Sequence, residues 1–249
     1  MFAHFLSHFH NVKETVNCLI CKERIIGKYF VDSWEQTVHE HHEFQLCFNC
    51  GRIVLKDGLK LADGRHICIH CQPSLVKTKQ DVDWVNEKTR KMLTKIGFND
   101  IPQDVPIEIC DSNKLNSLYG GNIINPNQRG LAQFTQMTQN GVFKVEHKVY
   151  VIDNLTKTVF AGVLAHELLH VWQNQENIKA PQNITEGFCN LGSDLMYKTI
   201  NNEVSIKLID SLNKDENPIY GDGFRKIKEF YDKNGLNELI KRMKGYKQL

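Results

Sequence analysis

The chain has 249 residues, 41% of them hydrophobic and 24% charged, with a formal net charge of +2. That size admits one large domain, or a small module followed by a medium one. The near-neutral balance supplies no field calling for nucleic acid or an anionic membrane as partner, and no apolar run reaches the length of a membrane span.

The opening MFAHFLSHFH is broken by histidines and lacks a basic stretch or small-residue cleavage site. No targeting segment is therefore expected, and the cytoplasm is the default location. His4, His8 and His10 read as a frayed terminus rather than a metal site. Six of the eight cysteines then fall into three C-x-x-C pairs, a pattern that structural zinc in a reducing compartment explains better than disulfides. Cys18 and Cys21 with His39 and His42 make one site; Cys47, Cys50, Cys68 and Cys71 make a second. Seventeen residues separate Cys21 from His39, and seventeen separate Cys50 from Cys68. This sequential two-zinc spacing resembles a LIM domain. Two departures stand out: four residues rather than two separate His42 from Cys47, and the run HEHHE makes His41 a rival to His42. A module of roughly fifty-five residues buries too little apolar surface to fold without metal. Closed four-ligand sites do not catalyse, so the module binds or scaffolds, and its charge favours a protein partner over nucleic acid.

Near Gln72-Pro73 the composition shifts from short alternating segments to longer ones of helical period. The expected organisation is a zinc module over 16–72, a linker over 73–80 and a second domain over 81–249. In that domain DVDWVNEKTRKMLTKIGF predicts a helix with Trp84, Met92 and Ile96 on its apolar side. VPIEIC from Val105 and VFKVEHKVYVID from Val142 alternate as strands. TVFAGVLAHELLHVWQ from Thr158 predicts a helix apolar almost all round, hence central and buried. Gly162 within it leaves room for close backbone approach, for instance by the strand ending near Asp153. After the break APQN a helix runs from about Ile184 to Thr199. The rest is helical apart from DENPIYGDGF, with Lys241, Lys244 and Lys247 on a solvated face. Cys110 and Cys189 read as small core residues.

The chemistry gathers on the buried helix. His166 and His170 are four apart, so both imidazoles project from one face toward one ion. Glu167 is placed to take a proton from a zinc-activated water and pass it to a leaving amine. A site with one open position needs a third protein ligand, and Glu186 in NITEGFCN meets that need from the following helix. Asn190, one turn on, is placed to hold a ligand histidine. An edge strand such as HKVYVI suits pairing with an extended peptide. HELLH followed by Glu186 looks like the gluzincin pattern.

With both pieces placed, the chain resembles the LIM-peptidases typified by the plant DA-one family, from about Cys18 to near Met243. LKLADGRHIC, RGL at Arg129, AHELLHVW, TEGFC and YGDGF followed by Arg225 carry the resemblance. It implies that His166, His170 and Glu186 are metal ligands and that Glu167 is the general base. Tyr220 in YGDGFR is the candidate donor to the oxyanion, with Asp222 and Arg225 as supports or, alternatively, as part of a turn that only packs. In that family the peptidase cleaves regulatory proteins under ubiquitin control. The family's ubiquitin-binding segments have no counterpart here, so that control is not carried over, and a compact, microbial member is expected.

The expected fold class is α+β: a small two-zinc LIM-like module of treble-clef or zinc-ribbon hairpins, then a mainly helical gluzincin-type zinc metallopeptidase domain with a small antiparallel sheet. The expected function is a zinc endopeptidase with one catalytic and two structural zinc ions, acting on a protein or peptide substrate. The alternative is a silent zinc-binding adaptor that retains the fold. A DNA-associated protease is disfavoured, because that type uses a third histidine and a later zinc module.

Overall fold

In the computed structural model, which describes residues 8–11, 16–120, 128–139 and 142–246, the first two C-x-x-C pairs close equivalent turns. Lys22 N–H donates to the Cys18 carbonyl (2.9 Å), and Gly51 N–H donates to that of Cys47 (2.8 Å). Lys22 and Gly51 both take positive φ, 68° and 74°, which folds each thiol pair onto one side of its turn. The described residues divide into two units, one ending at Leu75 and one beginning at Val76.

In the first unit, β1 (His8–Asn11), β2 (Lys28–Val31) and β3 (Thr37–His39) form an antiparallel sheet in that order. The backbone of His8–Asn11 is thus paired rather than frayed, while His4 lies outside the described residues. β4 (Gln45–Leu46) pairs with β5 (Ile53–Val54), and β6 (Leu59–Lys60) with β7 (His66–Ile67). Ile25, Phe30, Val38 and Ile53 gather around Cys18 as a small core. Buried Asp32 ties the halves together, accepting from the N–H groups of Trp34, Gln36 and Ile53 at 2.8–2.9 Å.

The stretch expected as a linker holds a short 3-10 turn at Gln72–Ser74, and α1 (Lys79–Ile96) begins two residues before Asp81. Thr78 and Asp81 form a capping box that sets this start. Val82, Val85, Met92 and Leu93 are its buried side. Trp84, expected there, is 51% exposed. It falls roughly 100° around the helix from Val85 and faces the ammonium groups of Lys88 and Lys157 instead.

β8 (Ile107–Cys110) leads into α2 (Ser112–Leu118), and β9 (Gly130–Gln139) into β10 (Val142–Ile152). The sheet order is β8-β10-β9, with β10 parallel to β8 and antiparallel to β9. The sheet is therefore mixed, not antiparallel throughout. HKVYVI lies on its central strand, so it has no free edge to offer a peptide. The edges are β8 and β9, and the β9 sequence GLAQFTQMTQ carries too few apolar residues to stand out as a strand. Pairing with β10 along its length stabilises it.

α3 (Lys157–Gln175) packs against α1, β9 and α4 (Gln182–Ile200), and α4 against α5 (Glu203–Lys214) and α6 (Gly221–Lys244). Burial runs round α3 from Val159 to Leu169, as an apolar helix in a core requires. Gly162 makes room for a side chain, not a strand: a Cβ there would lie 2.2 Å from the Tyr197 ring. Gly162→Ala is expected to destabilise the fold by about 1–3 kcal/mol, measured by urea denaturation. At the far end Lys241 is exposed, Lys244 pairs with Glu176 (3.2 Å), and Lys247 lies outside the described residues. Among the described residues no helix is long and apolar enough to cross a membrane.

Candidate metal centre and cleft

α3 presents His166 and His170 one turn apart, and the first turns of α4 bring Glu186 opposite them. The two Nε2 atoms are 3.1 Å apart. Glu186 Oε2 lies 3.3 Å from that of His166 and 3.5 Å from that of His170. Zinc bonds of about 2.0–2.1 Å at tetrahedral angles give donor-to-donor edges of about 3.3–3.4 Å. The three donors therefore already have the spacing of one tetrahedral face.

The electrostatics follow from packing. Burial alone would raise the Glu186 carboxyl, but hydrogen bonds and charge from His166 and His170 outweigh it and hold the group well below the usual range. Glu167 is 4% exposed. Burial pushes its carboxyl up to about 7, against the pull of His170 and the Ala132 N–H. Burial likewise pushes the Tyr220 phenol up to about 12, aided by Glu186 and Glu167. Tyr220 is thus a hydroxyl donor at neutral pH.

These groups line one cleft of about 400 Å³. The edge strand β9 forms one wall through Leu131, Ala132, Gln133 and Phe134, with Lys179 and Thr185 also among the lining. Tyr119, not singled out by the sequence, also lines it and donates to the Gly130 carbonyl (2.7 Å). Gly130 is a second omission. A Cβ there would sit 2.7 Å from Glu167 Oε1 and from Val163 Cγ1, so only glycine leaves the carboxylate its place against the strand.

Two expectations need correction. Asn190 does not hold a ligand histidine; its Nδ2 donates to the Tyr220 carbonyl (3.2 Å), so it fixes the entry to α6. Gln173 takes the position beside His170, with Oε1 3.2 Å from its Nδ1. Cys189 is more than a packing residue. Its Sγ lies within 4.8 Å of donor atoms of His166 and His170 and hydrogen-bonds the His170 ring as well as Gln173 Oε1 (3.4 Å), whereas Glu186 Oε2 faces both Nε2 atoms at 3.3–3.5 Å. Glu186 is therefore the stronger third donor. Arg225 donates to the carbonyls of Asn213 and Asp215 and pairs with Asp222. Both side chains brace the turn before α6, and neither lines the cleft.

In the first unit, Cys18, Cys21, His39 and His42 bring donor atoms within 4.8 Å of one another, as do Cys47, Cys50, Cys68 and Cys71. His42, not His41, joins the first set; His41 stacks on His39. His42 Nε2 is buried without a hydrogen-bond partner, which suits a metal-ligating atom. All four thiols of the second set are buried, and Cys50 and Cys68 are 3.6 Å apart, close to the edge of a tetrathiolate zinc site. These clusters fit a LIM-like zinc module.

With these features in place, the similarities to known proteins gain meaning. Protein DA1 of Arabidopsis thaliana is 20% identical over 81% of this chain and 49% of its own length. DA1-related 6 of the same plant is 22% identical over 94% of this chain and 47% of its own. LIM domain-containing protein HDR3 of Oryza sativa subsp. japonica is 22% identical over 65% and 38%. The chain is distantly similar to DA1. It spans about half the length, or less, of these curated relatives. No family model matches it, and no solved structure does.

Proposed function

We propose that this chain is a zinc-dependent endopeptidase of the HExxH gluzincin kind, carrying a LIM-like module that recruits a protein substrate or partner. The observation that supports it most is the pairing of a preset three-donor face with a buried carboxylate on the adjoining residue, both lining one cleft. His166, His170 and Glu186 hold the zinc, and two further zinc ions stabilise the module through its Cys/His sets. When bound at the cleft, zinc supplies Lewis acidity to the attacked carbonyl and makes water a competent nucleophile near neutral pH.

Glu167 takes the proton from the attacking water and returns it to the leaving nitrogen. Tyr220, kept protonated by burial, donates to the oxyanion. The free edge of β9 pairs with an extended peptide and presents its scissile bond to these groups. Gly130 seats Glu167 against that edge. Gly130→Ala is expected to lower kcat about 10²-fold through displacement of the carboxylate, with KM little changed; steady-state kinetics on one cleaved peptide checks this. Thiol-rich zinc sites suit a reducing compartment, consistent with the cytoplasm.

The test is incubation of the zinc-loaded protein with a proteome-derived peptide pool, reading new termini by mass spectrometry. Metal-dependent cleavage with a consistent residue preference is expected. Absence of cleavage with three zinc ions bound per chain would overturn the reading.

A further inference from the structure

Gln173 lies one turn beyond His170 on α3 and is 4% exposed. Its Nε2 is 3.2 Å from the Thr185 carbonyl, which can only accept a hydrogen bond. The amide orientation is thereby settled, and Oε1 must face the other partners. These are His170 Nδ1 at 3.2 Å and Cys189 Sγ at 3.4 Å. An amide oxygen only accepts, so Nδ1 carries a proton and Cys189 donates as a thiol. With Nδ1 protonated, the lone pair of neutral His170 is on Nε2, the atom 3.1 Å from His166 Nε2 and 3.5 Å from Glu186 Oε2. Thr185, held by the other end of the same amide, is the residue immediately before Glu186.

We propose that Gln173 is the positioning residue of the metal centre: one buried amide sets the tautomer and ring angle of His170 and latches the turn that carries Glu186. This deepens the metal-site reading and rests on it. Apart from their own mutual contacts, ligands from these two helices are otherwise placed by packing and by the Ser193 Oγ bond to the Gly162 carbonyl (2.8 Å). A single side chain bonded to both removes the freedom that remains before the ion arrives. Cys189 supports the arrangement by filling the second acceptor site of Oε1, so the amide has no reason to turn over.

The experiment measures zinc per chain and competition for the weakest-held zinc by a chelator of known affinity. It compares wild type, Gln173→Met and Gln173→Glu. Methionine matches the shape but neither accepts from Nδ1–H nor donates to Thr185. Glutamate restores the acceptor. Wild type is expected to hold three zinc ions. Gln173→Met is expected to keep two and bind the third about 10–100-fold more weakly. Gln173→Glu is expected to recover only part of that loss, because a carboxylate also orients a ligand histidine but cannot donate to the Thr185 carbonyl. A merely structural role would move the melting temperature of both variants without this split in affinity. Should the methionine variant not fold, Gln173→Asn, one methylene too short to span both partners, provides the same comparison. Unchanged third-site affinity in the folded variant would overturn the proposal. Only two zinc ions in wild type would instead overturn the metal-site reading beneath it.

Discussion

Glu167→Gln is expected to cut peptide cleavage by roughly 10²–10⁴-fold while leaving zinc content at three per chain. The substitution keeps the size of the side chain and its acceptor for the Ala132 N–H. It removes only the ability to take a proton. The carboxylate lies on the residue after His166 and lines the same cleft as His166, His170 and Glu186; among the described residues the other acid lining that cleft, Glu186, is committed to the histidines. Wild type and variant compared on one peptide, with zinc measured by atomic emission, settle the matter. Equal rates would remove Glu167 from the reaction. Cleavage by neither protein, with zinc present at the cleft, would favour the adaptor that keeps the fold without the activity.

Cys50→Ser is expected to unfold the second half of the N-terminal unit while the unit from Val76 onward stays folded. The apolar core of the whole N-terminal unit is a handful of side chains around Cys18, Phe30 and Ile53, of which only Ile53 lies in this half, and the strands β4 to β7 of this half are two residues long. Elements this short do not persist by pairing alone. A structural zinc contributes about 10–16 kcal/mol in comparable small modules, far more than such a core supplies. Cys50 is buried and 3.6 Å from Cys68, so serine leaves three thiolates with a weak fourth partner. Limited proteolysis should cut between about 45 and 71 and leave a resistant C-terminal fragment, with one zinc fewer per chain. A variant as resistant as wild type would show that the module does not depend on this ion.

The parts of the site legible in the sequence are those whose chemistry demands a residue type at a local spacing. His166, Glu167 and His170 share one helix, so a period of 3.6 residues alone sets their relation. The C-x-x-C pairs are similar: each turn is closed within a few residues. Glu186 was within reach because one break, APQN, joins its helix to the first. Trp84 and Gly162 were misread for the opposite reason. Apolar character does not say which way a helix faces when long lysines can cover a ring, and a glycine does not name the neighbour that needs its space.

The sequence by itself determined the local spacing of His166, Glu167 and His170, the place of Glu186 on the helix that follows, and the division into a Cys/His-rich module and a mainly helical unit. Only the tertiary structure decided that β9 is the edge beside the cleft, that His42 rather than His41 completes the first set, and that Gln173 rather than Asn190 stands behind His170. Each of those depends on a partner distant in the chain or on the direction of one side chain. Local propensity is silent on both, because strand order and side-chain direction are chosen by burial and hydrogen-bond satisfaction across the whole unit.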